Sequence, residues 1–389
     1  MMSDKKVLPQ FFKKESPKRA YMDSLQVLDI LDRNRLVQTG IDFAGVDRSG
    51  TFMQMDDSVV HCGVQQPGVE VMSTEEAVSR YDWLMDYYWR TVSPETDEYT
   101  AYAHEHSRHG YFIRALPGVK STQPVQASLY IAENGFAQAV HNIIIVEEGA
   151  ELNIITGCAS GHAVRTGMHL GISEFYVKKN AKLTFTMIHN WGEDMYVHPR
   201  SGMIVEEGGA FLSNFVCMHP VQELKMNPLT RLVGPGALVR SHSILVAQPG
   251  VKMDVGSRVY LEAPNTRAEI IARALTTGGD IINRGHLRGD APGVKAHLEC
   301  HGLILSKEGI IHAIPELEAR VAGAEMSHEA AVGKIAPEEI EYLMARGLSE
   351  EEATSTIVRG FLNVQMEGLP AELQAEIDRA VKQSQDSIM

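Results

Sequence analysis

The chain has 389 residues, 44% hydrophobic and 22% charged, a balance ordinary for a folded protein and one that excludes wholesale disorder. Its formal net charge of -14 counts against a phosphate-backbone partner, because nucleic-acid binding calls for a clustered basic face. No apolar run is long enough for a membrane span and no secretory leader is evident, so no membrane partner and a cytoplasmic location are expected; the four cysteines, Cys62, Cys158, Cys217 and Cys300, form no C-x-x-C pair, which argues against a disulfide framework and a zinc knuckle.

Residues 1–109 read as a mostly helical N-terminal domain. Ser24 to Leu31 has helical spacing, Ser73 stands as an N-cap ahead of Thr74, Glu75 and Glu76, and the aromatic-rich stretch from Tyr81 to Trp89 reads as a buried helix.

Residues 110–327 change texture to short β-type runs punctuated by Gly, Asn and Pro. A weak repeat runs through them: Val146-Glu147-Glu148-Gly149-Ala150, Val177-Lys178-Lys179-Asn180-Ala181, Val205-Glu206-Glu207-Gly208-Gly209-Ala210 and, more loosely, Leu232-Val233-Gly234-Pro235-Gly236-Ala237. Each copy precedes alternating apolar residues, and each offers Gly or Asn where a turn needs positive φ. A period in the range of about 20–50 residues favours a solenoid of stacked strands over a β-sandwich, whose hairpins also give alternation and Gly turns. The tighter repeat of hexapeptide acyltransferases is missing.

Residues 328–389 read as a C-terminal helical domain. Pro337-Glu338-Glu339 opens one helix with Ile340, Leu343 and Met344 on a face and Gly347 at its end. Ser349 with Glu352 is a capping box for a second helix bearing Ala353, Ile357, Phe361 and Leu362, and Leu369-Pro370 starts a third.

No phosphate-binding loop, dinucleotide fingerprint, zinc-protease or serine-hydrolase motif occurs, so no nucleotide is expected on this chain. The residues with chemistry to offer are Cys300, within His297-Leu298-Glu299-Cys300-His301, and His328-Glu329. A thiolate is a soft ligand for iron, and His or Glu can complete a site that later releases its cargo. The plainer readings stand beside this one: Cys300 is in phase with Ala296, Leu298 and Ile304, Cys158 with Leu152 and Ile154, and Cys217 with Phe215, so all three suit small core positions.

The run from His328 to Ile335, followed by Glu338 to Ala353 and Ile357-Val358-Arg359-Gly360-Phe361, resembles the C-terminal signature of the SufB/SufD family. Upstream, Cys158 ahead of Val177 to Ala181 and His189-Asn190-Trp191 is similar to the core of the B-type member, and the likeness spans about Ala127 to Leu369. The resemblance implies a mainly β chain, a right-handed parallel β-helix between helical ends. It implies a non-enzymatic scaffold for a transient iron-sulfur cluster, 4Fe-4S rather than 2Fe-2S, that dimerises through the β-helix and docks a SufC-type ABC ATPase on its C-terminal helices. A sulfur donor and apo iron-sulfur proteins would be the other partners. By position it carries Cys300 and His328-Glu329 over as the cluster site and Cys158 as the sulfur acceptor; Cys217, in a neighbouring part of the solenoid, is expected to assist. Tyr130 and Ala132 stand where a B-type protein has arginine and asparagine, and Pro315-Glu316-Leu317-Glu318 is closer to the D-type; a single-gene form acting as a homodimer reconciles these features. The alternatives are a D-type adaptor that holds no cluster and a polysaccharide-active β-helix enzyme.

Overall fold

A computed structural model describes residues 6–362 apart from Val46 and Thr122. The third C-terminal helix expected from Leu369 lies outside the described residues. The N-terminal part holds helix α1 (Ile30–Val37), strands β1 (Gly50–Met55), β2 (Ser58–Val64) and β3 (Val69–Ser73), then α2 (Thr74–Arg80) and α3 (Glu98–His106). There follow β4 (Tyr111–Ala115), β5 (Val125–Ile131), β6 (Ala137–Val146), β7 (Glu151–Ser160), β8 (Thr166–Val177), β9 (Lys182–Asn190) and β10 (Asp194–Val197). Next come β11 (Arg200–Val205), β12 (Ala210–Cys217), β13 (Glu223–Met226), β14 (Leu229–Leu232), β15 (Leu238–Ala247) and β16 (Lys252–Leu261). The last coils are β17 (Arg267–Thr276), β18 (Asp280–Gly289), β19 (Lys295–Ile304), β20 (Ile310–Ala319) and β21 (Glu325–Gly333), and the described chain ends with α4 (Pro337–Met344) and α5 (Glu350–Leu362).

The strands wind into a β-helix of about 8 turns. One sheet runs β2-β1-β5-β7-β9-β12-β15-β17-β19-β21, with every pair parallel except β1 with β2. The facing sheet climbs from β3 and β4 through β6, β8, β11, β14 and β16 to β18 and β20. The turn repeat seen in the sequence is a vertical column: Gly149, Asn180, Gly208 and Gly236 all have φ between 54° and 71°. Each donates its amide to the next turn, as Gly149 to Lys179 O and Asn180 to Glu207 O, so the column is hydrogen-bonded as well as sterically matched. Asn265, Gly293 and Gly323 continue it with positive φ.

Several expectations are refined. Beside its helices the N-terminal stretch carries strands: β1 and β2 extend one sheet and β3 the other, and β1 buries all six of its residues, which removes the alternation by which a strand is recognised. Tyr81 to Trp89 is not a helix; a 3-10 turn spans Asp82–Asp86, and Trp89 adopts φ 56°. The loop is held instead by Glu174, which accepts from the amides of Trp89, Arg90 and Thr91 at 2.6 Å each. Ser24 caps a 3-10 turn over Leu25–Val27 by accepting from Gln26 N, and the α-helix begins later, with Asp29 capping α1 through Leu31 N. Ser73, by contrast, caps α2 as expected, and Ser349 with Glu352 forms the expected reciprocal cap of α5. β21 also carries the β-helix past residue 327, to Gly333.

Candidate functional site

The inward face of the first sheet carries three thiols. Cys158 on β7, Cys217 on β12 and Cys300 on β19 are each 1% exposed and belong to one apolar core. The phase relations read from sequence place them there, except that Ile304 is half-buried and out of step. Burial pushes their thiols toward the protonated form, Cys217 up to about 12 and Cys300, aided by the neighbouring Glu299 charge, up to about 11; Cys158 rises further, from burial alone.

Register decides which of them meet. Cys158, His189 of β9 and Cys217 lie opposite one another on successive strands. Two strand steps separate the sulfurs' backbones by roughly 10 Å, outside disulfide reach. Between them His189 has neither ring nitrogen hydrogen-bonded among the described residues, packs edge-on to Trp191 and Phe215, and is held neutral by burial and by His169. Trp191 Nε1 and Ser160 Oγ nearby are also unpaired. Arg35 of α1 reaches over this end, donating to Ser160 O, Asn190 O and Trp191 O. Tyr130 is buried in the separate cluster beneath α1, turned away from the thiols.

Cys300 stands apart. It pairs with Ala272, then Ser243, then Phe215 along the sheet, so Cys217 is three strand steps away and two residues further along. That is roughly 14 Å across the strands alone. On the other side lies the edge strand β21, in which Leu298 faces His328, Glu299 faces Glu329 and Cys300 faces Ala330. His328 therefore shares the inward phase of Leu298 and Cys300, whereas Glu329 shares the outward face of Glu299 and His301. The structure brings His328 to the neighbourhood of Cys300, but it places Glu329 on the opposite side of the sheet and Cys217 out of reach. Among the described residues no group of three or more His, Cys, Asp or Glu side chains is arranged to hold a metal ion.

The outward face holds a cluster that sequence reading passed over. Arg273 Nη2 pairs with Glu299 Oε1 at 2.5 Å, the same oxygen is 3.4 Å from His301 Nδ1, and His301 Nε2 is 3.3 Å from Glu329 Oε1, an electrostatic contact rather than a hydrogen bond. The signal was present, since Glu299 and His301 bracket Cys300. Arg273, one coil earlier, was not legible from spacing. Above it, α5 buries Val358 and Leu362 against Ile244, Leu275 and Leu303 and sets Phe361 5.9 Å from the Arg273 guanidinium. Of the expected face of α5, Ala353 and Leu362 are buried and Phe361 packs partly against the same cluster, while Val358 takes the buried place expected for Ile357. α4 buries no residue and leaves Tyr342 and Met344 exposed beside Glu338 and Glu339.

Residues 129–361 match the family model for the SufBD core domain of SUF-system iron-sulfur cluster assembly. A protein of Archaeoglobus fulgidus described as an iron-sulfur cluster assembly SufBD family protein is 50% identical over 359 residues, covering 92% of this chain and 96% of that one. A relative from Methanothermobacter thermautotrophicus (strain Winter) is 44% identical over 97% of this chain and 93% of its own, and one from Pyrococcus horikoshii 31% identical over 92% and 80%. With the β-helix and its signature helices in place, the chain belongs to the SufB/SufD family of iron-sulfur cluster assembly proteins.

Proposed function

We propose that this chain is a non-catalytic scaffold on which a nascent iron-sulfur cluster is built and handed on. The observation that carries the reading is the meeting, at the end of the β-helix, of a buried thiol with an edge strand bearing an imidazole and a carboxylate. Cys300, assisted by His328 or Glu329, would hold the cargo, with mixed ligation favouring release. Cys158 would accept sulfur from a donor, and Cys217 would assist. A SufC-type ABC ATPase would dock on α4 and α5, whose exposed Tyr342 and Met344 lie among acids, and residues after Ile335 would be required for copurification with it. The edges of β20 and β21, unpaired among the described residues, suit a homodimer through the last coils.

The test is cluster content after anaerobic reconstitution of Cys300→Ser, Cys217→Ser, Cys158→Ser and Glu329→Ala. Loss of iron and sulfide in Cys300→Ser supports the scaffold; full retention overturns it. One observation favours the D-type adaptor reading: Cys300 and Glu329 face opposite sides of the sheet. An adaptor would bring the ATPase to the complex and carry no iron in any variant.

A further inference from the structure

Among the described residues β21 is an edge strand, hydrogen-bonded along its length to β19 alone. Register in such a strand is normally set by the apolar residues it buries, because a one-residue slip turns every side chain to the other face. β21 has little of this. Of Glu325 to Gly333 only Met326 packs against the core, and the remaining residues are exposed. What pins it lies outward: Lys295 Nζ to Glu325 Oε2 at 2.8 Å, His297 Nδ1 to Ser327 Oγ at 2.9 Å, and the His301–Glu329 contact. The last of these is braced from behind, since Glu299 faces both His301 and Arg273, and Arg273 lies under Phe361 of α5.

We propose that Arg273, Glu299 and His301 are positioning residues that hold β21 in the register that keeps Glu329 away from Cys300. The inference rests on the reading of Cys300 and Glu329 as cargo ligands. A forward slip of one residue, about 3.3 Å, replaces Ala330 by Glu329 opposite Cys300 and turns its carboxylate to the thiol's side. The displacement is toward the C-terminal side of the chain, the direction in which α4 and α5 draw on β21 when they move outward. Lifting α5 also removes Phe361 from Arg273, which loosens the brace at the same time. The register seen is a resting one with His328 on the thiol's face, and the slipped register exchanges it for Glu329 as the co-ligand.

The test uses the full-length protein without an ATPase. His301→Leu breaks the contact to Glu329, and His301→Gln retains a polar donor as the conservative control. On anaerobic addition of an equimolar mixture of ferrous and ferric iron with sulfide, the initial rate of cluster formation should rise roughly threefold in His301→Leu, the scale of one exposed electrostatic contact, and stay near wild type in His301→Gln. Adding Glu329→Ala to His301→Leu should abolish the gain. A purely structural role for His301 predicts slower loading instead, and that result, or a gain that survives Glu329→Ala, overturns the proposal. Amide exchange in β21 of the iron-free protein gives a readout independent of cargo: it should quicken in His301→Leu, and unchanged exchange overturns the latch. If exchange quickens yet Cys300→Ser and Glu329→Ala load like wild type, the cargo reading has failed while the latch on register stands.

Discussion

The first coils and the last differ in how they are closed. β6 buries all ten of its residues, inward ones in the core and outward ones under α2, α3 and the loop held by Glu174, whereas β20 has no fully buried residue and β21 is almost wholly exposed. The same repeat therefore gives a sealed wall at one end and a marginal edge at the other. Cys158 and Cys217 sit in the wall; Cys300 is one strand from the edge. On the proposed scaffold reading, a site that must fill and empty belongs where local opening costs least.

Matched truncations should expose this difference most strongly. Phe175, packed edge-on to Phe185 at 4.8 Å, should cost about 3–5 kcal/mol when changed to alanine, while Met326→Ala at the open end should cost roughly 1 kcal/mol. Urea denaturation of the two measures it, and equal costs would break the comparison.

Next in size is the outer cover. Although burial alone would raise the Glu174 carboxyl, its contact with His141 at 2.8 Å and the loop amides hold it below the usual range. Its folded pKa being depressed, its contribution is complete above the unfolded value of about 4.5 and is lost as pH falls below that toward the folded value. Glu174→Ala should cost about 3 kcal/mol, and Glu174→Gln should flatten the acid limb of a stability–pH curve. An unchanged acid limb would show that the cover is held elsewhere.

The thiols sharpen the contrast further. Their raised folded pKa values stabilise the protein fully below the unfolded thiol pKa, and that stability is lost as pH climbs from about 9 through the folded values. In native protein at pH 8 all three should alkylate slowly, with Cys300 roughly tenfold faster than Cys158 because its coil opens more readily. Mass spectrometry of the labelled peptides reads the order, and the reverse order contradicts it. The smallest effect is expected at Ser349: alanine there should cost about 1 kcal/mol, seen as faster amide exchange confined to α5.

Much of this wall was legible because Gly149, Asn180, Gly208 and Gly236 are obliged by φ to be what they are, and the inward phase of Cys300 followed from Ala296 and Leu298. β1 escaped notice because burial on both faces erases alternation, and Tyr81 to Trp89 misled because aromatic residues that plug a sheet's outer face from a loop have no periodicity to betray them. That Glu329 and Cys300 face opposite ways follows from the pairing of β19 with β21, a fact of register between strands that no single segment encodes.

The account stands most directly on the metal content of the protein isolated without air. It predicts visible absorption with iron and acid-labile sulfide in comparable amounts, both lost in Cys300→Ser, whereas iron and sulfide undiminished in Cys300→Ser would contradict it.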